Sequence, residues 1–229
     1  MPEKELLHRI AMTMIPGVGD VLGKKLVTLF GSAEAVFKEP GRLLRKMPRL
    51  VELIRKASTN AEIFHRAGLE MDFISRYKIR ALFFTDQDYP RRLKHCHDSP
   101  VMLYFKGNTD LNASRVIGVV GTRSATDYGK RVTTDVISGL ASLNIVVVSG
   151  LAYGIDSIAH RVSMEHGLST IGVLGHGLDM VYPWQNRTLA ERMVGCGGLL
   201  TEFISGPKPD RMNFPKSNRI IAGLCDAII

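Results

Sequence analysis

Apolar positions recur along the chain with two different rhythms, and the change from one to the other divides it near residue 78. Before that point they return every three to four residues. Leu6, Leu7, Ile10 and Met14 fall on one face of a stretch from Glu5 to Met14, the spacing of a helix with one buried side. A second helical stretch, Val21–Phe30, follows Ile15-Pro16-Gly17-Val18-Gly19 and stops at Gly31. Shorter helices are predicted at Glu34–Phe37, Gly41–Met47 and Arg49–Lys56, and a longer one over Asn60–Tyr77.

After Lys78 the helical rhythm gives way to short apolar runs. Arg80–Thr85 and Val101–Phe105 read as strands on either side of a linker punctuated by Tyr89-Pro90 and Ser99-Pro100. From Arg115 onward the order strand, glycine turn, helix repeats. Strands are predicted at Val116–Val120, Ile145–Val148, Ile171–Leu174, Leu199–Thr201 and Ala227–Ile229. Helices are predicted at Tyr128–Ser142, Ile155–His166, Gln185–Val194 and Ser217–Leu224. Strands apolar on both faces and separated by helices imply a parallel sheet covered on both sides. The expected fold class is therefore α/β. Residues 79–229 are expected to form a mostly parallel sheet with helices on both faces, and residues 1–78 a small all-helical domain before it. The final run stops inside a strand at Ile228-Ile229, so the sheet is expected to be incomplete at its C-terminus, as in a shortened chain.

Composition narrows the setting. Hydrophobic residues make up 45% and charged residues 23%, ordinary for a core-forming globular protein. The start, Met1-Pro2-Glu3-Lys4-Glu5, mixes acids with bases and has no apolar core, unlike a secretory signal. No apolar run approaches the roughly 18 residues that span a bilayer. Cys96, Cys196 and Cys225 are too few and too scattered for a disulfide framework. A soluble protein of a reducing compartment, the cytoplasm, with no membrane partner is expected. The net charge of +8 makes the chain a candidate for binding a polyanion. Residues 1–110 hold 19 Lys/Arg against 13 Asp/Glu, or +6, and residues 111–229 hold 11 against 9, or +2. The second half must place its few bases well if it meets a nucleic acid.

Four turns at the predicted carboxyl ends of strands carry the candidate chemistry, because ligands of open α/β sheets sit there. The first is Gly118-Val119-Val120-Gly121-Thr122-Arg123-Ser124, leading to Tyr128-Gly129-Lys130. The second is Ser149-Gly150-Leu151-Ala152-Tyr153-Gly154-Ile155-Asp156. The third is Gly175-His176-Gly177, and the fourth precedes the last helix as Phe214-Pro215-Lys216-Ser217-Asn218-Arg219. Glycine lets backbone approach a phosphate, and amides at a helix start point toward an anion. Arg123 adds a bidentate charged contact, and Lys216 and Arg219 open the last helix beside it. The dinucleotide fingerprint is absent, since Gly118 and Gly121 are spaced G-x-x-G and no acid follows at a ribose-binding distance.

Other candidates have plainer readings. Asp156 and His160 lie i,i+4 on one helix, yet no activated serine or cysteine stands beside them, so a structural hydrogen bond is expected and no catalytic residue is assigned. His95-Cys96-His97 places three donors side by side with no distant fourth, poor geometry for a metal, and neither metal nor cofactor is expected. Tyr128, Tyr153, Tyr182, Trp184 and Phe214 lie near the glycine turns. One or two of them suit stacking on bases, the rest packing. Arg42, Arg45, Lys46, Arg49, Arg55 and Lys56 read as a solvated face.

At these turns the sequence closely resembles the DprA (Smf) DNA-processing family. The resemblance runs through Gly121-Thr122-Arg123-Ser124 with Tyr128-Gly129, and Ser149-Gly150-Leu151-Ala152 with Gly154-Ile155-Asp156 and Ala159-His160. It continues through Gly175-His176-Gly177-Leu178-Asp179 with Tyr182-Pro183, Thr201-Glu202, and Phe214-Pro215 with Asn218 to Leu224. It covers nearly the whole chain and implies an extended Rossmann-like domain that binds single-stranded DNA and helps load the RecA recombinase during transformation and recombination. It further implies a homodimer in the full-length protein. By position, Arg123 becomes the principal phosphate ligand, with Gly121, Thr122, Ser124, Ser149, Gly150, Gly175 and Asn218 around it and Lys216 and Arg219 as a basic wall. Family members commonly carry arginine where this chain has Ser217, a departure that implies weaker binding unless Lys216 substitutes. The Pro16-Gly17-Val18-Gly19 turn resembles a helix-hairpin-helix. Gly17, Gly19, Lys24 and Lys25 are its secondary candidates for phosphate contact, with a protein-contact or structural role as the alternative. The runner-up function is a nucleotide-ribose hydrolase of the related lysine-decarboxylase-like group, but its Pro-Gly-Gly-x-Gly-Thr turn is missing here. A third reading is an adaptor that uses the helical domain for protein contacts.

Overall fold

The computed structural model describes residues 3–43, 47–208, 210 and 213–229, with the side chains of Arg42, Leu43 and Phe214 left aside. The chain forms two compact units, one reaching to Lys78 and including Pro100–Met102, the other comprising Ile79–Ser99 and Leu103–Ile229.

The first unit contains α1 (Glu3–Thr13), α2 (Asp20–Phe30), α3 (Ala33–Lys38), α4 (Pro48–Ser58) and α5 (Ala61–Tyr77). Their boundaries follow local chemistry. Gly31, at φ 90°, ends α2 in the left-handed conformation and returns its N–H to the Val27 carbonyl. The Ser32 hydroxyl caps α3 by accepting from the Ala35 amide at 3.0 Å, and Asn60 caps α5 by accepting from the Glu62 amide at 2.9 Å. Glu5 does the same across the fold: its carboxylate accepts the amides of Ala33 and Glu34 at 3.2 Å each while binding Arg9 Nε at 3.1 Å. Ile10, Met12, Val36, Val51 and Ile54 form the buried interior. One expectation is corrected: Gly41–Leu43 do not open an α-helix. Pro40–Leu43 is a single 3₁₀ turn, and residues 44–46, with Arg45 and Lys46, lie outside the described residues. Pro40 fixes the entry angle of that turn but supplies no N–H to extend it.

The second unit is built on strands β1 (Arg80–Phe83), β2 (Met102–Gly107), β3 (Val116–Gly118), β4 (Val146–Ser149), β5 (Ser169–Val173), β6 (Gly198–Thr201) and β7 (Ala227–Ile228). They lie in the order β1-β2-β6-β5-β4-β3-β7. From β6 to β7 all neighbours are parallel, and β2 runs antiparallel to β6 with Tyr104 opposite Thr201. Alternate residues of β4 face opposite layers. Val146 and Val148 join a core with Leu93, Phe105, Ile220, Ile221 and Leu224, whereas Val147 joins one with Ile137, Ile155, Ala159 and Val162. A third cluster, Leu151, Leu174, Leu189 and Met193, fills the space at the other side.

Helices α7 (Asp127–Leu140), α8 (Ile155–Glu165) and α9 (Arg187–Cys196) follow β3, β4 and β5, and α10 (Asn213–Leu224) precedes β7. A four-residue helix, α6 (Arg91–Lys94), occupies the predicted linker. Its Arg92 grips the Asp226 carboxylate with two nitrogens, at 2.7 and 2.8 Å, and the same carboxylate accepts the Val116 amide at 2.8 Å, which ties β7 to β3. Because β3 to β6 succeed one another in one direction and β7 returns to the far side of β3, the connections at β3 diverge. That divergence opens a crevice beyond the strand ends. Among the described residues no helix is long and apolar enough to cross a membrane.

Candidate functional site

The crevice at the carboxyl ends of β3, β4 and β5 encloses about 400 Å³. Gly121 and Arg123 border it from the turn after β3, Gly150, Leu151 and Ala152 from the turn after β4, and Gly175 and His176 from the turn after β5. Ser217, Asn218, Ile221 and Ala222 of α10 form the opposite wall. The three glycine turns and the Ser217-Asn218 pair of the fourth segment therefore meet at one place.

Each turn is held by the next. The Val119 amide donates to the Val148 carbonyl at 2.9 Å, and the buried Ser149 hydroxyl donates back to the Val119 carbonyl at 2.6 Å. The Ile155 amide, first in α8, donates to the Thr122 carbonyl at 3.1 Å. Gly154 makes that contact possible, with φ 77° and a backbone so close to Thr122 that a Cβ there would lie 2.1 Å from its carbonyl oxygen. Gly150 leaves room for Asp156 in the same way, since a Cβ at Gly150 would lie 2.5 Å from Asp156 Oδ2. Asn186, buried in the turn before α9, donates its amide to the carbonyls of Leu151 at 2.8 Å and Ala152 at 3.2 Å.

Electrostatics within the crevice are uneven. Arg123 is the one Lys or Arg among the described residues that line it. Asp156 also lines the crevice, where it accepts the Ala152 amide at 3.3 Å. Burial raises its pKa above the usual carboxylate range, against the opposing pull of the Ala152 amide, Ser149 and the Arg123 guanidinium. His176 Nδ1 meets the Gly177 carbonyl at 2.9 Å while Nε2 accepts the Tyr182 amide at 3.2 Å, which assigns the neutral tautomer with hydrogen on Nδ1. His160 is held by other partners. Its Nδ1 sits 2.6 Å from the Thr170 hydroxyl, which donates onward to the Val147 carbonyl at 3.1 Å, so the ring donates and Nε2 is left facing the Gly150 carbonyl at 3.5 Å. Complete burial pushes the His160 pKa down to about 4, only partly offset by Gly150. The i,i+4 spacing thus carries two separate structural bonds rather than an acid–base pair.

The candidate residues do not all reach the crevice. Gly121, Arg123, Gly150, Gly175 and Asn218 line it. Thr122 and Ser124 border it only indirectly: the Thr122 hydroxyl accepts the Ser124 amide at 3.2 Å and shapes the turn. Ser149 is fully buried in its bond to Val119. Lys216 and Arg219 were expected to open α10 as a basic wall, and here the geometry differs. The helix begins at Asn213, because Pro215 falls in its first turn, where no amide needs an intrahelical partner. Lys216 is exposed in that turn, and Arg219 holds Glu202 bidentately, at 3.0 and 2.7 Å, with Asp98 at 3.9 Å. A half-buried guanidinium fork pairs best with a carboxylate of matching shape, and Glu202 supplies it from the loop after β6. Sequence reading missed Asn186 and the apolar floor of Val173, Leu174 and Ile221. Only the buried asparagine had a local signal, as a polar residue beside Pro183 at the mouth of a helix.

In the first unit, Gly17 takes φ 80° and Gly19 precedes α2 in extended conformation, both exposed. Lys25 is exposed and Lys24 half-buried on α2. Among the described residues no cluster of three or more His, Cys, Asp or Glu is placed to hold a metal ion.

Comparison with known proteins bears on both units. Residues 80–229 match the family model described as DNA recombination-mediator protein A. Protein Smf of Synechocystis sp. is 36% identical over 240 residues, spanning 100% of this chain and 58% of that protein. DNA processing protein DprA of Streptococcus pneumoniae is 40% identical over 152 residues, 66% of this chain and 54% of that protein. The chain thus spans about half the length of the curated relatives it matches. Among solved structures, that of DprA from S. pneumoniae superposes with a TM-score of 0.64 at 33% identity, covering 84% of this chain and 74% of that one. DNA processing protein A from Helicobacter pylori, whose structure is described as giving insight into its unique single-stranded DNA binding mode, superposes with a TM-score of 0.60 at 28% identity, covering 67% of this chain and 69% of that one.

Proposed function

The chain belongs to the DNA recombination-mediator protein A family, and from that premise we propose that it holds single-stranded DNA by its phosphates in the crevice beyond β3, β4 and β5. The observation that carries this reading is the convergence of Gly121, Arg123, Gly150, Gly175 and Asn218 on one cavity whose rim offers backbone and a single guanidinium. Such a site grips the sugar-phosphate chain without reading bases, so binding is nearly sequence-blind and falls steeply with salt. The single-stranded DNA binding described for the H. pylori relative supports the ligand. The role is that of a mediator rather than an enzyme: the bound strand is passed to RecA during DNA uptake and recombination, and the full-length protein acts as a homodimer in the cytoplasm. The buried bond of His160 to Thr170 favours the non-catalytic reading, because it commits the ring to the core. Gly17, Gly19, Lys24 and Lys25 offer a weaker, secondary phosphate contact. Lys216, Thr122 and Ser124 act at the rim, and Arg219 contributes by fixing Glu202 unless DNA draws it across.

Arg123→Ala is expected to weaken binding of a labelled poly-thymidine oligonucleotide by about 1–3 kcal/mol without unfolding the protein. Fluorescence anisotropy at two salt concentrations, with a duplex of equal length as competitor, measures it. Unchanged affinity in a folded variant removes Arg123 from the site. Competition by a nucleoside monophosphate, with release of free base, would instead select the hydrolase reading.

A further inference from the structure

Phosphate contacts alone do not separate a single strand from a duplex, since both present the same backbone charge. A preference for single strands requires a surface for unpaired bases. The loop between β5 and α9 provides one at the edge of the crevice. It is fixed at both ends: the Tyr182 amide donates to His176 Nε2, the Asn186 amide donates to the Pro183 carbonyl at 3.0 Å, and the Asn186 side chain is tied to Leu151 and Ala152. Yet this pinned loop turns its large rings outward. Tyr182, which lines the crevice, is 52% exposed, and Trp184 is 64% exposed. Elsewhere in the same unit Phe83, Tyr89, Tyr104 and Phe105 are fully buried, while Tyr128 at the start of α7 is also exposed.

The ring of Trp184 is also prepared electrostatically. The Arg187 guanidinium carbon lies 4.7 Å from its centroid, and Arg187 Nε is held by Glu191 at 2.8 Å. A cation on one face leaves the exposed remainder of the indole to meet another π-system. Tyr153, 42% exposed in the turn after β4, flanks the loop and donates its hydroxyl to Gln185.

We propose that Tyr182 and Trp184 form a shelf on which unpaired nucleobases stack as the strand leaves the phosphate crevice. Every base has a π-face, so the shelf adds affinity without sequence preference, and bases stacked inside a duplex cannot use it. The proposal rests on the phosphate-binding reading above and gives it its single-strand selectivity.

Trp184 is the only tryptophan in the chain, so its fluorescence reports on this shelf alone. The full chain is titrated with a poly-thymidine oligonucleotide and with an abasic deoxyribose-phosphate oligomer of equal length. Thymidine is expected to quench Trp184 emission and to bind roughly tenfold or more tightly than the abasic oligomer. By anisotropy, Tyr182→Ala and Trp184→Ala each lose about that factor for thymidine, Trp184→Ala leaves abasic binding unchanged, and Tyr182→Phe retains the wild-type value. Equal binding of both oligomers without quenching overturns the shelf and leaves the phosphate reading standing. Failure of a folded chain to bind either oligomer overturns both.

Discussion

Gly154→Ala is expected to destabilise the second unit by about 3–5 kcal/mol and to abolish DNA binding even under conditions where the variant stays folded. Two costs combine. At φ 77° an L-residue is strained, by about 1–3 kcal/mol. The added Cβ also lands 2.1 Å from the Thr122 carbonyl oxygen and 2.7 Å from the Arg123 carbonyl, both backbone atoms that cannot swing aside like a side chain. Relief requires the turn after β3 to move, which breaks the Ile155 amide bond to Thr122 and carries Arg123 away from the crevice. Gly167→Ala is the matched control. Gly167 has φ 69° with nothing within 4 Å of a Cβ, so it isolates the backbone cost at about 1–2 kcal/mol. Urea unfolding of the two variants, followed by circular dichroism, separates strain from steric contact. Equal destabilisation would mean that the close approach to Thr122 contributes nothing.

The second large effect is a dependence of stability on pH through His160. Its folded pKa of about 4 lies below the ordinary 6.5, so between those values the unfolded chain takes up a proton that the folded chain refuses. The contribution is therefore fully present above pH 6.5 and is lost as pH falls toward 4, on the order of 3 kcal/mol over the window. Asp156 acts with the opposite sign. Its raised pKa makes the folded state the better proton acceptor, so it gains stability as pH falls. Comparing wild type with His160→Gln at pH 7.5 and 4.5 cancels Asp156 and the other titrating groups. Wild type is expected to be the more stable at pH 7.5 and to lose most of that advantage at pH 4.5. A difference independent of pH would show that His160 has the same pKa in the folded and the unfolded chain.

Most of the secondary structure was legible because it rests on local rules. The helices from α1 to α5 and from α7 to α9 begin or end at recognisable caps or turns, and the seven strands lie within two residues or so of the predicted apolar runs. Errors fall where a distant contact or an unusual terminus decides. The α-helix expected from Gln185 begins at Arg187, since Asn186 turns inward to bind Leu151 and Ala152. The last helix starts before its proline rather than after it. The linker folds into α6, whose Arg92 finds Asp226 at the far end of the chain.

The candidate site divides in the same way. Glycine spacing after strands, the arginine in the first of those turns and the aromatics near them are properties of short segments, and together with net charge they point to an anion-binding α/β protein from the sequence by itself. Partner choice among charged groups is not a local property. Arg123 and Arg219 look equivalent along the chain, each beside small polar residues. Folding lines the crevice with Arg123 and delivers Arg219 to Glu202, because β6 returns antiparallel to β2 and brings its following loop beneath α10. Likewise the spacing of Asp156 and His160 suggests a pair, while Thr170, brought alongside by β5, takes the histidine. Local backbone preference and apolar rhythm are encoded within a few residues and so are read directly. Which carboxylate or hydroxyl meets which base depends on strand order and register, fixed only when the whole sheet has formed.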